Sequence, residues 1–250
     1  IGKVSALRII STTTARTYKN TEKSIPEIAS ELGVNNIIEP SVMCLGDSIC
    51  IRLKAISAYP EEKQLWVQDF KVPKSEILSL YNIVTKDFAK RINVALTQQE
   101  EKLLAETRLV DPEVYDLYLK AQSFGAKQSR ESLDTALNYL KRAIEIDPDW
   151  AQLYAGMAMI WVVKQQHGFE PPHIASPKIY QYLSKALELD PDLPDAHNLY
   201  GLIAHVMVWD WEKSEREYLK AIGINPNDAG SRVLYAQLLS ILHRSDEALI

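Results

Sequence analysis

The chain has 250 residues, of which 46% are hydrophobic and 24% charged, with a formal net charge of −5. That balance supports packed domains and argues against a disordered tail. An acidic chain with evenly mixed charge lacks the basic face that phosphate-backbone binding needs, so nucleic acid is excluded as a partner. No apolar run approaches the ~18 residues of a membrane span.

The chain opens at Ile1-Gly2-Lys3 without an initiator Met and ends at Ala248-Leu249-Ile250 inside an apolar helical pattern. Both ends read as cuts in a longer protein, whose anchors or targeting signals would lie outside this piece. Leu7-Arg8-Ile9-Ile10 reads as a short strand. Thr21 to Gly33 reads as a helix, with Ser24 as N-cap, Pro26 in the first turn and Gly33 as its stop. Strands follow at about 36–44, 49–58 and 64–71. A long helix runs from Lys74 to Leu96 on Ile77, Leu80, Tyr81, Val84, Phe88 and Ile92. The order strand, helix, three strands, helix predicts a small α/β layer over residues 1–100.

The two cysteines, Cys44 and Cys50, lie on either side of Gly46-Asp47, a two-residue hairpin turn. Such a turn pairs Cys44 with Ile49 and Met43 with Cys50. Strand neighbours point to opposite faces, which predicts two free thiols on opposite sides of the sheet and favours a reducing compartment.

This region resembles the TolB-like N-terminal domain found ahead of tetratricopeptide repeats in bacterial signalling proteins. The resemblance rests on Leu7-Arg8-Ile9-Ile10-Ser11, on Ile28-Ala29-Ser30-Glu31-Leu32-Gly33-Val34, on Ile37-Ile38-Glu39-Pro40-Ser41-Val42, and on Arg52 and Leu65-Trp66. The family shows glycine where Pro40 stands, and its members begin with a further strand and helix that this chain lacks. The resemblance implies an output module elsewhere in the protein: a nucleotide cyclase, a kinase or a DNA-binding domain.

From Asp111 onward the pattern changes. Three segments align: Ala143-Ile144-Glu145-Ile146-Asp147-Pro148, Ala186-Leu187-Glu188-Leu189-Asp190-Pro191 and Ala221-Ile222-Gly223-Ile224-Asn225-Pro226. Their prolines are 43 and 35 residues apart. Ahead of each proline a bulky residue precedes an alanine by three positions: Leu140 and Ala143, Leu183 and Ala186, Tyr218 and Ala221. Small residues also follow larger ones at Met157-Ala158, Tyr200-Gly201 and Tyr235-Ala236. The first interval is longer because His167 to Pro177 reads as an insertion between two helices of one unit. A period of ~34 residues with a closing proline resembles the tetratricopeptide family. The chain is therefore read as α+β, a small α/β domain over 1–100 followed by an all-α tetratricopeptide superhelix over 101–250, with three units and a partial fourth.

The resemblance implies a concave groove lined by the first helix of each unit. The matching positions are Gln152, Ala155, Met159, Val162 and Val163, then Asp195, Asn198, Leu202, His205 and Val206, then Val233, Gln237 and Ile241. Some family members hold acidic peptide C-termini there through lysines and an asparagine. This chain matches only Asn198 and lacks the lysines, so an apolar or amphipathic partner segment, or another part of the same protein, is the expected occupant. Trp209 and Trp211, at a turn, read as a staple that closes it.

No arrangement of residues points to catalysis. There is no glycine-rich phosphate loop and no zinc spacing. His197 and His205 stand two turns apart, too far for a ligand pair, and His167 and His173 merely bracket the apparent insertion. Glu61-Glu62 and Glu100-Glu101 read as solvated charges. No cofactor or metal is expected. The reading is a non-catalytic interaction and regulatory module of a bacterial signalling protein, or the regulatory half of a cyclase or kinase. It is placed in the cytoplasm, or in the periplasm if an upstream anchor exists.

Overall fold

The structure is a computed structural model that describes residues 4–105 and 108–248; the side chains of Thr12, Thr13, Cys44, Leu45, Gln99 and Leu103 are outside that description. The chain divides into two compact units, residues 6–110 and residues 111–248 with Val4 and Ser5.

The first unit holds α1 (Thr12–Arg16), α2 (Ile25–Leu32), β1 (Asn36–Leu45), β2 (Ser48–Ser57), β3 (Lys63–Pro73), α3 (Ile77–Arg91) and α4 (Gln98–Ala105). The sheet is antiparallel in the order β1-β2-β3. α2 starts where its capping residues dictate: the Ser24 backbone N–H donates to Glu27 Oε2 at 2.7 Å, satisfying a donor the helix cannot. It stops at Gly33, whose φ of 62° places it in the left-handed region. The β1–β2 hairpin turns on Gly46, φ 57°. It pairs Cys44 with Ile49 and Met43 with Cys50, the register expected from the sequence. Cys50 is a free thiol.

α3 packs against β3, where Trp66 meets Phe88 edge-on with ring centroids 6.0 Å apart. Arg91 lies over the same indole at 5.3 Å. Residues 7–10, expected as a strand, form none, because a strand persists only through a paired neighbour and the described sheet offers them none. The long helix also ends early. It begins with a 3-10 turn at Lys74–Glu76 and stops at Arg91, and Asn93 then turns the chain with a φ of 56°.

The second unit is built of paired helices: α5 (Pro112–Gly125) with α6 (Arg130–Ile146), α7 (Ala151–Gln166) with α8 (Pro172–Leu189), and α9 (Pro194–Ile203) with α10 (Trp211–Ile224). α11 (Ala229–Ile241) opens another pair, whose partner begins as α12 (Ser245–Ala248). The repeated Asp/Asn-Pro sequences produce the same junction three times. Asp147, Asp190 and Asn225 take φ values of −130°, −141° and −128°, because a residue before proline is pushed out of the helical region. Each still donates its N–H to the alanine four residues back, at 2.9 Å in every case. Those alanines, Ala143, Ala186 and Ala221, are completely buried, as are Leu183 and Tyr218.

The expected insertion at His167–Pro177 is mostly helix. Only residues 167–171 form a loop, and Pro177 lies inside α8. Pro177 falls just past the first turn, so it removes one intrahelical donor without ending the helix. Val4 is buried in this unit, and Asn227 Nδ2 donates to its carbonyl oxygen at 2.9 Å. Among the described residues no helix is long and apolar enough to cross a membrane.

Candidate partner-binding groove

A cavity of about 430 Å3 spans α5, α7 and α9, the first helices of successive pairs. Ala121, Gly125, Ala155 and Gly156 lie on its walls, and the two glycines let Ile160 and Leu140 approach to 2.8 and 3.3 Å of where a Cβ would stand. Of the groove positions named from the sequence, Gln152, Ala155, Met159, Val163, Asp195 and Asn198 lie at this cavity. A second cavity of about 700 Å3 is lined by His205, Val206, Val233, Gln237 and Ile241, with Ser240 and Ala248. The expected groove residues therefore gather in two places along the array.

Two candidates behave differently. Val162 is completely buried. Gln152, Met159 and Val163 follow one helical stripe, and Val162, about 100° round from Val163, faces the interior instead. Leu202 is half-buried and lines neither cavity. The sequence reading also passed over α5, whose Tyr118, Ala121 and Gln122 line the first cavity. Extending the first-helix stripe back from α7 into the helix that follows Asp111 finds them.

The first cavity has a distinct electrostatic character. Neither cavity is lined by a lysine or arginine among the described residues. Among the described residues Asp195 is the only acidic side chain at the first one. It is exposed, so water reaches it, but the surrounding protein restricts that hydration. That loss of hydration, with the negative charge of Asp228, lifts its carboxyl above the ordinary aspartate range. No ion pair holds it among the described residues. One turn further along α9, the Asn198 Oδ1 is buried without a hydrogen-bond partner.

The histidines have structural partners. His197 Nδ1 lies 2.7 Å from Glu217 Oε2 and its Nε2 lies 2.8 Å from the Pro191 carbonyl. His205 sits edge-on to Trp211 and Tyr218, with centroids 6.1 and 6.4 Å away, and burial lowers its pKa. Among the described residues no three His, Cys, Asp or Glu side chains group closely enough to hold a metal ion.

The two tryptophans separate. Trp211 is half-buried against His205, whereas Trp209 is 72% exposed, so it is not the staple expected of it. The reason is a π-helical turn at Ala204–Val208, which ends α9 and sets Trp209 in the left-handed region at φ 61°. That backbone turns its ring outward.

Solved structures that this chain resembles include tetratricopeptide proteins. One is TTC0263, a thermophilic TPR protein of Thermus thermophilus, with TM-score 0.49 and 20% identity, covering 68% of this chain and 84% of that one. Another is the TPR domain of Arabidopsis OM64, with TM-score 0.41 and 15% identity, covering 52% and 96%. MamA gives a TM-score of 0.39 at 18% identity, covering 69% and 88%. No protein-family model matches the chain. A curated relative from Rhizobium meliloti (strain 1021), named "Putative adenylate cyclase 3", is 29% identical over 181 residues. The match covers 70% of this chain but only 30% of that relative's length. The TolB-like resemblance of the first hundred residues rests on the sequence alone.

Proposed function

We propose that this chain is a non-catalytic interaction and regulatory module, which holds a protein segment along the first helices of its array. The segment belongs to a partner or to another domain of the same protein. The supporting observation is the pair of cavities lined by first helices of the array, beside which Met159, Val206, Ile241 and Val233 are 40%, 45%, 51% and 55% exposed. Large apolar side chains left open beside such cavities favour a covering partner.

The Rhizobium relative favours a second, compatible reading, in which the module regulates a nucleotide cyclase whose catalytic domain lies outside these residues. Cytoplasmic placement belongs to that reading. The direct test is capture of partners from the source cell by the wild-type chain and by a Met159→Glu/Val206→Glu variant. Both positions are exposed, so the fold tolerates the change. Proteins retained by the wild type and lost by the variant support groove binding, and equal capture by both removes it. For the cyclase reading, the same substitutions in the full-length protein should alter cyclase output.

A further inference from the structure

We propose that the occupant of the first cavity is an apolar segment carrying one basic residue, whose lysine or arginine head pairs with Asp195. This rests on the groove reading above and adds the chemistry of the partner. The argument is one of charge complementarity. The cavity is lined mainly by apolar groups and neutral amides, including Met159, Ile160, Val163, Leu199 and Gln152. Into that setting α9 brings Asp195, a carboxylate with no cation beside it among the described residues. One turn away it brings Asn198, whose Oδ1 acceptor is unmatched. Asn198 is among the lining residues, so a turn of its carboxamide would bring that oxygen to an occupant. Two acceptors on one helical face call for a donor-rich head, and the ammonium and guanidinium groups are donors without acceptors. An acidic segment would meet Asp195 with no lysine or arginine lining the cavity to offset the repulsion. The apolar remainder of the segment covers Met159 and its neighbours.

The probe is a phage library of random short peptides, selected in parallel on the wild-type chain and on Asp195→Asn, Asp195→Lys and Met159→Glu variants. Each variant is first checked for native helicity and melting. Wild-type selection should enrich apolar sequences with a lysine or arginine at a fixed place. Synthetic copies of those peptides should bind Asp195→Asn about three- to fivefold more weakly, and added salt should weaken their binding to the wild type. Asp195→Lys should enrich acidic residues instead. Wild-type binders that lack a basic residue, or that bind Asp195→Asn equally well, overturn the proposal while leaving the groove reading intact. Enrichment that is unchanged on Met159→Glu overturns both, because the binding surface then lies elsewhere.

Discussion

Gly201 of α9 lies directly against the ring of Tyr218 on α10: a Cβ added at Gly201 would stand 2.6 Å from both Cδ1 and Cε1 of that ring. Tyr218 is completely buried, and burial pushes its phenol up to about 12. The glycine is therefore required by packing, since only a hydrogen fits where the two helices of this pair meet.

Gly201→Ala should destabilise the array by about 1–3 kcal/mol, because the ring has nowhere to move. Gly223 in α10 is the control. It is exposed, and nothing lies within 4 Å of an added Cβ there. Gly223→Ala should stabilise by about 0.5–1 kcal/mol through helix propensity alone. Urea unfolding midpoints decide the matter, and a shift of the same sign in both variants would contradict the packing argument.

Trp209 holds a left-handed backbone with its ring in water. Trp209→Gly relieves a conformation that costs a side-chain-bearing residue roughly 1–2 kcal/mol, and little packing is lost in exchange. The melting temperature should rise. A fall of several degrees would mean that the ring contributes contacts that outweigh the strain.

Lys164 is only 4% exposed. Its ammonium pairs with Asp134, lies 3.6 Å from Glu170 and stands 5.2 Å from the Trp161 ring centroid. Lys164→Glu would bury a charge against two carboxylates and should cost about 3–5 kcal/mol. Lys164→Met keeps the apolar stem and lets both carboxylates rehydrate, so its cost should be under about 1.5 kcal/mol. Equal losses in thermal melts would show that packing, and not charge, holds this site.

Burial lowers the His205 pKa below its ordinary value. As pH falls below about 6.5, the unfolded chain takes up the proton first. Stability is then lost on the acid side and restored as pH rises. The rings of Trp211 and Tyr218 face the imidazole, with Tyr218 Oη 3.5 Å from Nδ1. Melts between pH 7 and 5 should show a steeper loss for the wild type than for His205→Gln. Parallel curves would remove His205 as the source.

Much of the fold was legible because its signals are local. Ser24, Pro26 and Gly33 bound α2 through hydrogen bonds and backbone angles set within a few residues. The hairpin register followed from the two-residue turn at Gly46. The groove stripe through Gln152, Met159 and Val163 followed from helical spacing once the repeats were aligned. The failures share a cause. Leu7-Arg8-Ile9-Ile10 has the composition of a strand but no paired neighbour. Val162 has the spacing of a groove residue in aligned repeats, but α7 turns it inward.

By itself the sequence determined where the helix pairs begin and end, because each Asp-Pro or Asn-Pro restricts its own backbone wherever it occurs. It also determined the buried alanines, whose spacing repeats with the pairs. Only the tertiary structure decided that Val162 turns inward, that Trp209 faces water while Trp211 does not, and that Tyr118 and Gln122 of α5 share a cavity with Met159. Those outcomes depend on how neighbouring helices approach and on a π-helical turn that rotates the chain. Such arrangements are set by contacts between residues far apart in the chain, which local spacing does not specify.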